Sequence, residues 1–503
     1  MSIDFLQRKG VVEAEMNALI TSAIPRKQVA IGLVGIGFEM HFDWKKAKEC
    51  FSQAIDETKQ ALPDNTQLLH ADTPIQTKTD ILALLNDYKA VGMKGIIIYQ
   101  ASYIAGDLAL AIATWLREND MPMLSWSHTE ITGSNLTANR FCGQNFLLNI
   151  LSSMQVKYSW VFADLGSEAL QTHLNRFTRV VNTKAQLQYS KLLMVGGMRV
   201  PGFYDCELNE MSIAKHFGLD IERIDIETIW QYSKKFDVDQ VMPIVNKLIS
   251  SEACQDCQVK ENELFLSVRL ALAIADYTRV NGYLGVALKN WPELFDLYGI
   301  AGDGAGALVQ DLGIPVADES DMGGLLTMVA FHELCQGSSL PTLMDMSYLD
   351  PEGGKIGMWH CGGSSTKLIK ENTPFEVRNH SILDNYDEDT SCGMLFEFLQ
   401  ELGPVTIAKY QYPHASSIFA FEGNIVESPM RFRGCYGEVQ PKNTDANSII
   451  NTVLSRGLDH HWIVGRGHFL EDLQEFNYWA SVEQIDMMPS KISGRSITKN
   501  MNY

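Results

Sequence analysis

The sequence predicts an α/β protein with two doubly wound domains followed by a β-rich third. Three observations carry this. Apolar β-type runs alternate with helical segments up to residue 327, the pattern restarts after Gly166, and short β-type runs separated by turn residues dominate beyond residue 328. Strands alternating with helices indicate parallel sheets built from βαβ units. The expected domains are residues 1–170, 171–327 and 328–503.

In the first domain Val29–Ile36 is an apolar run with the continuous character of a strand covered on both faces. Asp43–Leu62 has helical spacing, with Ala47, Phe51, Ala54 and Ile55 on one face. Leu68–Ala71, Gly95–Tyr99 and Pro122–Trp126 read as strands, and Thr79–Tyr88 and Ala105–Leu116 as helices. The second domain opens with a long helical region, Glu168–Ser190, and strand Lys191–Val195. Helix Cys206–Phe217, strand Ile221–Ile226, helices Asp239–Ser250 and Glu261–Tyr277, and strand Tyr283–Leu288 follow. In the third, Thr342–Met346, Ile356–Cys361, Val405–Gln411 and Ser417–Phe421 read as strands. Helical pattern returns in Thr390–Gln400, Asn447–Ser455 and Phe469–Phe476.

The chain has 503 residues, 46% hydrophobic and 20% charged, which fits a folded protein with several cores. Its 41 Lys+Arg against 61 Asp+Glu give a net charge of −20, which argues against general nucleic-acid binding because phosphates would be repelled. The most apolar stretch, Gly95–Leu116, is interrupted by Gln100 and Asp107, so no membrane span is expected. With no secretory signal visible and nine scattered cysteines, a cytoplasmic location with reduced thiols is expected.

Several motifs fail. Gly35-Ile36-Gly37 follows a strand, but Met40 stands where a dinucleotide loop needs its third glycine. Gly302-Asp303-Gly304-Ala305-Gly306 lacks the Lys-Ser/Thr of a phosphate loop. His332-Glu333-Leu334-Cys335-Gln336 lacks the second histidine of a zinc protease. The single CxxC, Cys254 and Cys257, has no second pair to complete a zinc site.

The stretch Ile314–Ser365 is more informative. Strand Ile314–Ala317 runs into Asp318-Glu319, and a helix is expected from about Asp321. Ligands in open α/β sheets sit beyond the carboxyl ends of strands, which places Glu319 like a site residue. Asp345 ends the apolar run Leu340–Met344, and His360 ends Ile356–Trp359. His460-His461 leads the apolar Trp462-Ile463-Val464. An acid against a buried strand is costly unless paired or bound to metal. Two carboxylates and two imidazoles suit Mn²⁺, Fe²⁺, Co²⁺ or Zn²⁺.

The run Glu319 … Asp345 … His360-Cys361-Gly362-Gly363 … His460-His461 resembles the L-fucose/L-arabinose isomerase superfamily, and the resemblance extends over most of the chain. It implies two Rossmann-like domains, a barrel-like C-terminal domain and Mn²⁺-dependent aldose–ketose isomerisation. It also implies metal ligation by Glu319, Asp345, His360 and His461, with His460 the alternative to His461, and catalysis by Glu319 and Asp345. Substrate contacts are implied at Met198 and Arg199, and at His128 from a neighbouring subunit of a trimer or hexamer. Aspartate at 345 matches the fucose isomerases, whereas the chain length and the His-His pair match the arabinose isomerases.

The expected chemistry moves a carbonyl between C1 and C2 of a free or modified monosaccharide. A metal stabilises the developing enediolate while one carboxylate takes the carbon proton and the other manages the hydroxyl proton; a hydride shift is the competing route. A sulfonated or phosphorylated sugar is a further possibility, with Arg199, Arg431 and Arg433 as candidate anion contacts. The alternative of a different class is a non-catalytic sugar-binding or sensory protein on the same scaffold.

Overall fold

A computed structural model describes residues 5–133, 135–350, 352–386 and 391–497. The fold is mixed α/β, with two parallel sheets and one large mixed sheet. The chain forms two compact units, Pro25–Gln186 and the combination of Met1–Ile24 with Leu187–Tyr503.

The Pro25–Gln186 unit is built on strands β1 (Val29–Ile36), β2 (Thr66–His70), β3 (Met93–Gln100), β4 (Met123–Ser127) and β5 (Ser159–Phe162). They form one parallel sheet in the order β2-β1-β3-β4-β5. All eight residues of β1 are buried, as its continuous apolar run implies. The helix Trp44–Gln60 starts where Asp43 accepts a hydrogen bond from the Lys46 amide at 3.0 Å, and buries Ala47, Phe51, Ala54 and Ile55. Helix Arg140–Ser153 and strand β5 are further elements that the apolar pattern did not reveal.

In the other unit, the strands in chain order are β6 (Lys191–Val195), β7 (Asp220–Ile224), β8 (Cys254–Cys257), β9 (Tyr283–Leu288) and β10 (Val316–Ala317). They continue with β11 (Thr342–Asp350), β12 (Lys355–His360), β13 (Phe375–Arg378), β14 (Leu395–Leu399) and β15 (Gly403–Tyr410). The last four are β16 (Ser417–Val426), β17 (Cys435–Pro441), β18 (His461–Arg466) and β19 (Glu483–Gln484). Strands β10-β9-β6-β7 make a parallel sheet. The rest make a ten-stranded mixed sheet, β19-β16-β15-β18-β11-β12-β17-β14-β13-β8. Because β16 also pairs with β17, the strands β16-β15-β18-β11-β12-β17 close into a ring. Closure satisfies edge hydrogen bonds that an open sheet would expose.

Three readings need correction. Thr390–Gln400, expected as a helix, contains strand β14; Thr390 itself lies outside the described residues. Leu395, Phe396, Glu397 and Phe398 are buried between β13 and β17, so sheet pairing overrides the helical spacing. Asp345 lies inside β11 rather than at its end, because the strand continues through Tyr348 and Leu349 against β12. The expected helix at Cys206 begins only at Glu210, capped by Asn209, after a 3₁₀ turn at Tyr204–Cys206.

The segment before Pro25 is tied into its unit by buried Asp276, on helix Glu261–Asn281. Its carboxylate accepts from the Thr21 amide at 2.7 Å and from the Tyr232 hydroxyl at 2.6 Å, and pairs with Lys235. Burial opposes the charge, but the Lys235, Tyr232 and Thr21 bonds hold the carboxyl at about 2. A depressed acid contributes stability above its unfolded range and loses it as pH falls through the folded value. Asp276→Asn should therefore cost about 2 kcal/mol at pH 7. In urea melts the gap should narrow as pH falls from about 4 towards 2; a gap independent of pH would count against this account.

Candidate active site

Strand β10 ends at Ala317, and the chain turns sharply through Asp318–Ser320. Glu319 has φ 59° and ψ 25°, and Ser320 also has positive φ. A left-handed glutamate is uncommon, and such conformations persist only where the surroundings fix them. Here the Glu319 amide donates to Asn290 Oδ1 at 3.0 Å, and Trp291 Nε1 donates to Glu319 Oε1 at 3.1 Å. Asp321 then caps the helix Met322–Leu334 by accepting from the Gly324 amide at 2.8 Å.

The sheet supplies the other partners. Asp345 on β11 lies opposite His461 on β18 and opposite Trp359 on β12; His360 follows at the end of β12. His461 Nε2 stands 2.9 Å from Glu319 Oε2 and 3.9 Å from Asp345 Oδ1. Its Nδ1 stands 3.0 Å from Asp321 Oδ2, and Asp321 in turn pairs with fully buried Lys409. His360 and His461 have ring centres 5.9 Å apart. Glu319, His360 and His461 are all buried and offer ligand atoms within 4.8 Å of one another. Asp345 borders this group with a side chain 30% exposed, and its Oδ1 has no hydrogen-bond partner.

These contacts set the charges. Burial disfavours ionised Glu319, but His461, His360 and Trp291 outweigh it and hold the carboxyl at about 2. Burial also opposes protonation of His461, yet bonds to Asp321, Cys206 and Glu319 raise it well above the ordinary imidazole range. Burial, then Asp303 and Glu319, push the Asp318 carboxyl well above its usual range. The donor set fits a divalent transition metal: Glu319 oxygen and His461 Nε2 face one another, while Nδ1–H can keep donating to Asp321. Such a carboxylate behind a ligating histidine fixes its tautomer and orientation.

The remaining expected residues lie elsewhere. His460 is exposed and bound to Asp205, with Nδ1 2.8 Å from Oδ2. Arg199 stacks over Tyr204 at 4.3 Å and donates to the Val200 carbonyl, and Met198 is half exposed; both stand outside the buried group. Arg431 pairs with Glu438, and Arg433 with Glu397 and Asp384. His128 belongs to the Pro25–Gln186 unit, where it is buried at the end of β4. Its Nδ1 donates to the Thr129 carbonyl at 3.1 Å, so Nε2 accepts from the Tyr99 hydroxyl at 2.8 Å. Burial and nearby Arg140 lower it to about 4, so the ring is neutral. Sequence reasoning missed Asp321, Lys409, Trp291 and Phe203, whose ring packs against Trp291, His460 and His461.

No protein-family model matches the sequence. Curated relatives do. The chain is 24% identical to a sulfoquinovose isomerase of Alkalicoccus urumqiensis over 75% of this chain and 83% of the relative. It is 22% identical to one from Priestia megaterium over 84% and 92%, and 25% identical to one from Clostridium sp. strain MSTE9 over 70% and 77%. With these relatives, the chain is an isomerase enzyme. Among the described residues no helix is long and apolar enough to cross a membrane.

Because His461 is held protonated, a cation taking Nε2 must displace a proton. Mn²⁺ affinity should therefore rise with pH through neutrality, by up to about tenfold per unit for each proton displaced, and flatten above the raised histidine value. Calorimetry in buffers of different ionisation heat counts the protons; binding that releases none would remove His461 from the ligand set.

Proposed function

We propose that this chain is a divalent-metal-dependent aldose–ketose isomerase acting on a monosaccharide, with sulfoquinovose as the first substrate to test. The observation that carries the reading is the buried Glu319–His360–His461 group with Asp345 at its open side, in a chain whose curated relatives are sulfoquinovose isomerases. A cation held by Glu319, His360, His461 and Asp345, Mn²⁺ being the first candidate, would supply Lewis-acid polarisation of the sugar carbonyl.

The protein's own groups divide the remaining work unequally. Glu319 is already bonded by His461 and Trp291, which suits a ligand that orients the sugar and carries the hydroxyl proton between O2 and O1 rather than the base at carbon. Asp345 has an unpartnered oxygen and the more open side chain, which supports a role as the base that takes the C2 proton and returns it to C1 through an enediol. Phe203 packs against both Trp291 and His461, and these rings would limit the water able to exchange with that proton.

A cleft of about 440 Å³ next to this sheet is lined by Ser347, Trp359, Ser381, Asn385, Phe432 and Arg433. Trp359 is the strand neighbour of both Asp345 and His360. Aromatic faces with hydroxyl and amide groups suit a polyhydroxylated ring. Arg433 gives the cleft a cation for an anionic substituent, although Glu397 and Asp384 already share that guanidinium. A trimer or hexamer, with His128 serving a neighbouring subunit, completes the proposal; light scattering tests the assembly, and a fully active monomer would refute it.

Asp345→Asn should lower turnover by about 10²–10⁴-fold while weakening sugar binding less. The assay is aldose–ketose conversion at saturating Mn²⁺ across a panel of sulfoquinovose, fucose, arabinose and phosphorylated hexoses. Deuterium from solvent entering the product at the transferred position supports proton transfer. Conversion without exchange favours a hydride shift and leaves Asp345 as a ligand only; wild-type turnover in a metal-loaded variant removes it from the mechanism.

A further inference from the structure

Beside the group just described lies a second set of buried donors that the proposed reaction does not use. Asp303 opens the helix Asp303–Asp311 and is fully buried, and neither carboxylate oxygen has a hydrogen-bond partner. Asp318 is 3% exposed and its Oδ1 is equally unpartnered. His360 Nδ1, also without a hydrogen bond, stands 3.7 Å from Asp318 Oδ2. Ligand atoms of Asp303, Asp318 and His360 lie within 4.8 Å of one another, and Asp303 also reaches buried Cys361 and His380 to the same limit. His380 Nδ1 is a further buried, unpartnered atom.

Two carboxyl groups removed from water must be neutralised, by a proton or by a cation. Among the described residues no lysine or arginine pairs with either; Lys409 is committed to Asp321. The backbone also makes room for them. A Cβ at Gly363 would collide with Asp318 Oδ2, and one at Gly304 would collide with the Met394 carbonyl, which accepts from the Gly304 amide at 3.0 Å and so seats the start of the Asp303 helix.

We propose that Asp303, Asp318 and His360 Nδ1 form a second divalent-cation site, with His380 and Cys361 on its far side. Mixed oxygen and nitrogen donors with a thiol nearby select a first-row transition ion over Mg²⁺ or Ca²⁺. The other nitrogen of His360 is left for the Glu319–His461 group. His360 would then offer one nitrogen to each site.

The test uses the full chain loaded with Mn²⁺ and desalted. Elemental analysis should find two ions per chain in the wild type, one in Asp303→Asn and one in Glu319→Gln. One ion in the wild type, kept by Asp303→Asn and lost by Glu319→Gln, overturns the second site and leaves the first standing. One ion lost by Asp303→Asn but kept by Glu319→Gln supports the second site and sinks the first. Electron paramagnetic resonance of the loaded wild type needs no variant: a spin-coupled Mn²⁺ pair is expected, and isolated-ion spectra from a wild type that holds two ions per chain overturn the proposal. Buried acids that merely share a proton would leave one ion in the wild type, kept by Asp303→Asn.

Discussion

The ion pair between Lys409 and Asp321 is the constraint on which the site depends. Both side chains are almost completely removed from water, at 1% and 0% exposure. Burying two charges costs several kcal/mol per ion before their attraction and hydrogen bonds repay it, and removing one partner of such a pair typically costs about 3–5 kcal/mol. The pair holds a chain of contacts in place. Lys409, on β15, fixes Asp321; Asp321 caps the helix Met322–Leu334 and accepts from His461; His461 meets Glu319. One aspartate therefore couples a helix start, a strand of the closed ring and the orientation of the central imidazole.

Sheet register supplies what this chain of contacts does not. Antiparallel pairing of β11 with β18 sets Asp345 opposite His461, and pairing of β11 with β12 sets Trp359 opposite Asp345 one residue before His360. A shift of one residue in either pairing would send these side chains to the other face. The site therefore needs the ring as a whole: β15 carries the lysine, β18 the histidine, and β11 and β12 the remaining donors. Glu319 alone arrives from the parallel sheet, through the left-handed turn after β10.

Much of this was legible in the sequence because it was written in local patterns. The apolar runs at Val29–Ile36, Lys191–Val195 and Tyr283–Leu288 form strands where alternation with helices predicts them. Glu319 and His360 do lie at strand ends, and His461 opens β18. What stayed hidden depends on contacts distant in sequence. Lys409 looks like any polar residue of a strand, and only the fold shows that it serves Asp321, 88 residues away. Asp321 read as a helix start, which it is, but its second task on His461 has no local signature. Leu395–Leu399 carries helical spacing and is a strand because both of its neighbours are strands. Cys254 and Cys257, a metal-like spacing, lie on strand β8 at the end of the large sheet.

The same charges decide what the buried centre can hold. Asp303, Asp318, Glu319 and Asp321 are all buried and Asp345 stands at their edge, while Lys409 is the one lysine that pairs with any of them among the described residues. Protonating His461 offsets one further charge and burial lifts the Asp318 carboxyl towards its neutral form, while the Glu319 carboxyl, held at about 2, gives up its own charge only in strong acid. A neutral hydroxyl group could donate hydrogen bonds to these oxygens but would leave their charge unbalanced in a low-dielectric interior. Divalent cations balance it and accept the same oxygen and nitrogen donors. The excess of carboxylates over cationic side chains thus supports the proposed metal by an argument independent of any relative.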